Sequence, residues 1–226
     1  MLERKGDMMK RIKLFGISAA IACVMLTACG SSSEDSNNTP AVPVKKSAAV
    51  YFSRVGNTDF PSDIDAVASA TLNRKDGTLK GNAQLIAEWA ADAAGCGVFE
   101  ITAENSYPVD YDQTVDQAKE EQKDKARPSL KGSIDISDCD TIWLVFPNWW
   151  ADLPMPVYSF FDKYDLSGKN IYVFVTHEGS GFSSTVKTIK ELEPNASVIE
   201  AKSVRGGSAA DAEKDIRDYV KQQLGK

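Results

Sequence analysis

Histidine and cysteine are scarce in this chain of 226 residues: His177 is the sole histidine, and the four cysteines are scattered. Without a His or Cys cluster at ligand spacing, no metal site is encoded. No GxGxxG follows an apolar run, which excludes the dinucleotide-binding fingerprint with its acidic ribose partner. No Ser-His-Asp triad and no pair of catalytic carboxylates stands out. Basic residues are in deficit, with 26 Lys and Arg against 32 Asp and Glu and a net charge of −6. That balance argues against nucleic acid as a partner and against electrostatic docking on anionic lipid. The uncharged apolar run from Leu14 to Ala28 is too short to span a bilayer comfortably.

The same run suits the h-region of a secretory signal, because Arg4, Lys5, Lys10, Arg11 and Lys13 precede it. It closes on Leu26-Thr27-Ala28-Cys29-Gly30, which resembles the bacterial lipobox. In that motif the cysteine thiol is alkylated by a diacylglyceryl group and becomes the first mature residue. Residues 1–28 are therefore expected to be a lipoprotein signal peptide and Cys29 the lipidation site. The protein would sit on the outer face of the cytoplasmic membrane, or on the periplasmic side in a two-membrane cell. Removing residues 1–28 leaves 21 basic and 30 acidic side chains, a net charge of −9. Membrane attachment would then have to come from the lipid.

Residues 29–46 are rich in Ser, Asn and Pro and nearly devoid of large apolar side chains, as in a flexible tether. Residues 47–226 have the length of one domain with a sizeable core. Cys96 and Cys139 each stand just before an expected strand, and those strands should flank a third. Both are expected as free, partly buried thiols rather than a disulfide.

Within 47–226, apolar runs alternate with helical patterns. Strands are expected at Ala48–Phe52, Val98–Thr102, Thr141–Phe146, Asn170–Thr176 and Ser197–Val204. Helices are expected at Asn82–Ala94, Asp112–Lys125, Met155–Tyr164, Ser183–Leu192 and Ala210–Leu224. The continuous apolar run TIWLVF reads as a central parallel strand buried on both faces. Five strands alternating with helices imply an α/β fold, a single doubly wound five-stranded parallel sheet. Ligands of such sheets sit beyond the carboxyl ends of the strands.

Three strand-end turns carry the unusual residues. Ser53-Arg54-Val55-Gly56-Asn57-Thr58 can wrap backbone N–H groups around a phosphate, although a Gly-Asn pair is more often only a turn. Pro147-Asn148-Trp149-Trp150 places paired indoles in a loop, one expected to pack in the core and one to stack on a planar ring. His177-Glu178-Gly179-Ser180-Gly181 lets backbone approach a ligand closely, with His177 structural or ligand-facing in equal measure. A phosphate cradle, an aromatic platform and a glycine-rich wall suit a phosphorylated, flat, aromatic ligand. FMN meets that description better than a dinucleotide.

The segments VYFSRVGNT, FPNWWADLPMP and THEGSGFSSTVKTIKEL resemble the flavodoxin-like proteins of anaerobic gut bacteria. The resemblance runs from about Ser47 to the end of the chain. It implies the strand order 2-1-3-4-5, FMN as cofactor, and electron transfer as the activity. It puts the phosphate at Ser53–Thr58 and the flavin ring beside Trp149 or Trp150. The ring's polar edge would then meet the loop from His177 to Gly181. Two features depart from the family. Val55 stands where a threonine is usual, and the first helix starts near Asn82 rather than after Thr58. The intervening Asp59–Gly81 is an insertion, read either as splitting the cradle, with Gly81 and Asn82 at the helix start, or as a lid.

The functional expectation is an exported, lipid-anchored FMN electron carrier, with a small FMN-dependent NAD(P)H:quinone-type reductase as the other redox form. Its partner would be a redox protein or a small quinone-like acceptor. The reading from another class is a flavodoxin-fold binding or interaction lipoprotein without redox turnover. The acidic surface, with Asp152 and Glu178 beside the ring site, is expected to disfavour a reduced, negatively charged flavin. For the anchor, Cys29→Ser is expected to release the protein from the membrane fraction and abolish labelling by a fatty-acid probe. Label persisting on the serine variant would reject the lipobox reading.

Overall fold

A computed structural model describes residues 46–64, 72–75 and 77–226. The expected signal segment, Cys29 and the tether up to residue 45 lie outside the described residues. The main sheet contains β1 (Ser47–Tyr51), β4 (Gly97–Glu100), β5 (Thr141–Pro147), β6 (Asn170–His177) and β7 (Ser197–Arg205). All pairings are parallel and the order is β4-β1-β5-β6-β7, which is 2-1-3-4-5 among the sheet strands, as expected.

Every residue of β5 is buried, because β1 and β6 cover its edges and helices cover both faces. Its side chains alternate between two cores, as strand geometry requires. Ile142, Leu144 and Phe146 join Val50, Phe52, Val173 and the inner faces of α3 (Met155–Lys163) and α4 (Thr185–Leu192). Trp143 and Val145 join Ala49, Phe174 and the apolar faces of α1 (Asn82–Ala94) and α5 (Glu213–Gln223). The remaining helix, α2 (Tyr111–Lys123), is polar and buries only Thr114 and Ala118. Cys96 and Cys139 are free and partly buried, in keeping with β1 standing between their strands. Among the described residues no helix is long and apolar enough to cross a membrane, and no group of three or more His, Cys, Asp or Glu could hold a metal.

The sequence reading missed one element. Within the insertion, β2 (Leu72–Lys75) and β3 (Thr78–Gly81) pair as an antiparallel hairpin that runs directly into α1 at Asn82. Nothing in that stretch alternates clearly between apolar and polar, so periodicity did not reveal it. The expected helix over residues 210–224 is also divided, into a 3-10 turn (Gly206–Asp211) and α5.

The join between β1 and its turn rests on Asn57. Its side-chain Nδ2 donates to Ser53 O (2.8 Å) and Ile101 O (3.0 Å), and its Oδ1 accepts from Ala103 N (2.7 Å). One buried amide thus satisfies backbone groups of the turn and of the chain leaving β4. Asn57→Ala would leave these groups unpaired in the interior and is expected to destabilise the fold by about 2–3 kcal/mol. Urea unfolding should show a lower midpoint at unchanged slope.

Candidate functional site

The carboxyl ends of β1, β5 and β6 converge on a cavity of about 410 Å³. Of the residues singled out in the sequence, Arg54, Pro147, Asn148, Trp149, Trp150, Glu178 and Ser180 line it. Ser53, Val55, Gly56, Asn57, Thr58, His177, Gly179 and Gly181 do not. A wall that the sequence reading omitted comes from the first two turns of α2, with Tyr111, Thr114, Val115 and Ala118. The spacing of these residues puts them on one helical face, but no local pattern tells which loop that face meets.

The two indoles have different surroundings. Trp149 packs edge-on against Phe52 (5.4 Å between centroids) and Tyr107 (5.3 Å), so its ring is held by core aromatics. Trp150 is 46% exposed, donates from Nε1 to Val115 O (3.3 Å) and lies 5.3 Å from the Lys119 ammonium. Trp150 and Ala151 both have left-handed backbones, at φ +53° and +62°. Reciprocal hydrogen bonds between Trp149 and Asp152 close this turn and hold the strain.

Asn148 joins the second turn to the third, since its Nδ2 donates to Gly181 O (2.9 Å) and Ser183 Oγ (3.0 Å). Gly181 adopts φ +58°, which presents its carbonyl to Asn148 without the strain a side chain would add. His177 is not part of the cavity wall. Its Nδ1 accepts from Gly179 N (2.8 Å), which needs that nitrogen to be without a proton.

The first turn is largely satisfied from within. Ser53 Oγ accepts from Val55 N (3.2 Å), and Asn57 is committed to the fold as described above. Thr58 Oγ1 is buried with no hydrogen-bond partner among the described residues. Arg54 points the other way. It is 3% exposed, and its Nη2 donates to Pro108 O (3.0 Å), Val109 O (2.7 Å), Asp110 O (3.2 Å) and Thr114 Oγ1 (3.0 Å).

Glu100, at the end of β4, lies under this turn. A methyl group at Gly56 would fall 1.9 Å from Glu100 Oε1, so any side chain there would require the Glu100 carboxyl to move. Burial pushes the Glu100 carboxyl up to about 7, against the opposing effect of a hydrogen bond with Tyr51, its neighbour in register.

A doubly wound parallel sheet in the order 2-1-3-4-5, with an aromatic-walled cavity beyond β1, β5 and β6, defines a flavodoxin-like α/β protein. The sequence profile of the flavodoxin family matches residues 77–223, and the chain belongs to that family. Three solved structures share the fold. A protein described as a flavoprotein from Bacteroides eggerthii is 21% identical, with TM-score 0.59, covering 80% of this chain and 98% of its own. A counterpart from Bacteroides uniformis is 23% identical, with TM-score 0.58, covering 80% and 99%. A flavoprotein in complex with FMN from Lactobacillus acidophilus is 20% identical, with TM-score 0.52, covering 75% and 99%. No curated protein matches this chain.

The Glu100 carboxyl makes stability depend on pH. The folded protein keeps this proton up to about pH 7, whereas an unfolded chain releases it near pH 4.5. Stability from this group is therefore lost as pH rises from about 4.5 to about 7, and the loss is complete above that. Glu100→Gln is expected to flatten the profile over that window and to stabilise the protein at pH 8 by about 1–3 kcal/mol. Thermal or urea unfolding of both proteins at pH 5 and pH 8 checks this. An equal difference at both values would remove Glu100 from the buried site.

Proposed function

We propose that this chain is an FMN-binding flavoprotein that transfers electrons outside the cytoplasm, tethered to the membrane through lipid on Cys29. The observation that carries the reading is the cavity at the ends of β1, β5 and β6, with Trp149 and Trp150 on its wall and Asn148 fastening its two later loops together. Its volume lies in the range of pockets that enclose small cofactors. Thr58 Oγ1, buried and unpartnered in the first turn, supports a phosphate nearby. Family membership and the FMN complex of the Lactobacillus acidophilus protein support the same cofactor.

When bound, FMN supplies the redox chemistry, and the protein supplies binding, orientation and exclusion of water. Trp149, fixed by Phe52 and Tyr107, offers a rigid aromatic surface. Tyr111, Val115 and Ala118 of α2 supply a further wall. Electrons would pass to a redox partner protein or to a small quinone-like acceptor. His177 does not line the cavity, and its Nδ1 accepts from Gly179 N.

One observation favours the second reading, a binding or interaction lipoprotein without redox turnover. The first turn spends most of its polar groups on itself and holds Glu100 against Gly56, a poor neighbour for a phosphate when ionised. An absorption spectrum of the protein after adding FMN separates the two readings. Flavin titration is expected to show tighter binding of FMN than of riboflavin. Trp149→Ala or Trp150→Ala is expected to weaken binding by about 1–3 kcal/mol. Unchanged affinity in both variants would sink the aromatic platform.

A further inference from the structure

Arg54 is a buried cation on the cavity wall with unused donors. Its Nε is buried without a partner, and among the described residues all its hydrogen bonds leave from Nη2, none from Nη1. Among the described residues no carboxylate forms an ion pair with it: Asp110 offers its backbone carbonyl, while its side chain caps α2 at Gln113 N. Three carbonyl dipoles, a hydroxyl and the rings of Phe60 (4.9 Å) and Tyr111 (5.9 Å) hold the guanidinium in place, but among the described residues no ion pair neutralises it. An interior charge in that condition favours any ligand that brings the opposite sign.

We infer that Arg54 is the cavity's recognition group for an anionic or carbonyl oxygen on a flat ring, and that it makes the site hold a reduced, more negative flavin ring more tightly than the oxidised one. The inference rests on the FMN reading and goes beyond it by assigning the charge preference to one residue. Arg54 is the one member of the first turn that lines the cavity beside Pro147–Trp150 and Ser180, so its charge serves the ring side rather than the turn. Two other polar groups of the cavity are committed. Thr114 Oγ1 is engaged with Pro108 O, Asp110 O and Arg54, and Asn148 Nδ2 with Gly181 O and Ser183 Oγ.

The acidic groups that led to the opposite expectation are weakened by their surroundings. Glu178 also lines the cavity, but its side chain is half exposed and 3.5 Å from the Arg205 guanidinium. Asp152 accepts a hydrogen bond from the Tyr158 hydroxyl (2.7 Å) and does not line the cavity. Arg54, 3% exposed, acts through a lower effective dielectric than the half-exposed Glu178, so its sign prevails in the cavity. Reduction adds two electrons and one proton to the ring and leaves it with one extra negative charge. In the test, dithionite supplies the electrons and the buffer supplies the proton.

The experiment measures affinities of the full-length protein for oxidised and reduced riboflavin and FMN, in the parent, Arg54→Gln and Arg54→Lys. The parent is expected to bind each reduced flavin more tightly than its oxidised form. Arg54→Gln should lower the reduced-to-oxidised affinity ratio about tenfold with both flavins, a fall of about 30 mV for a two-electron couple. Arg54→Lys, which keeps the charge, should restore most of that ratio. A merely structural arginine would change both redox states equally, and that result overturns the inference. Loss of FMN affinity in Arg54→Gln with riboflavin unchanged also overturns it, by assigning Arg54 to the phosphate. If Arg54→Gln does not fold, the parent decides alone: tighter binding of oxidised than reduced riboflavin refutes the inference. A parent that binds neither flavin removes the FMN reading itself, a failure distinct from the others.

Discussion

A parallel strand with neighbours on both edges and helices on both faces has no side left for water, and β5 meets that condition along its whole length. Its apolar side chains divide between two cores, which forces α1 and α5 to one face and α3 and α4 to the other. The chain can leave β5 only at its carboxyl end, between β1 and β6. The loop Pro147–Asp152 therefore emerges at the centre of the sheet edge, where the turns after β1 and β6 also arrive. The cavity is a consequence of that convergence.

The three turns are polar in different ways. The turn after β1 directs Ser53 and Asn57 inward to stabilise its own backbone, and sends Arg54 outward to the loop before α2. The turn after β5 stores strain in two consecutive left-handed residues, each costing about 1–2 kcal/mol for a residue with a side chain. The turn after β6 uses glycine for the same freedom. Asn148 ties the last two into one rigid rim. The site thus combines a strained aromatic hairpin, a fixed cation and a polar helix face.

Much of this was legible in the sequence. TIWLVF and NIYVFVT announced central strands, and the face of Leu85, Ile86 and Trp89 announced α1, because burial on a face leaves a period in the residues. The split between the two indoles was also foreseen, since a loop position cannot bury both. The β2–β3 hairpin escaped notice, being short, charged and without a clean alternation. The Asp76-Gly77 pair in the sequence, with Gly77 at φ +77°, was the signal that could have found it. The α2 wall escaped for another reason: a helix with few buried residues carries no apolar stripe to say which face meets a ligand.

The sequence by itself determined the order of strands and helices, the central place of β5 and the three turns that carry the site. These follow from local propensity and from hydrophobic periodicity, which are written along the chain. Only the tertiary structure decided where each polar side chain points. Arg54 meets carbonyls more than fifty residues away, Asn57 spans β1 and β4, and Glu100 rises under Gly56 from the neighbouring strand. Such contacts depend on strand register and helix docking, and no window of adjacent residues records those distances.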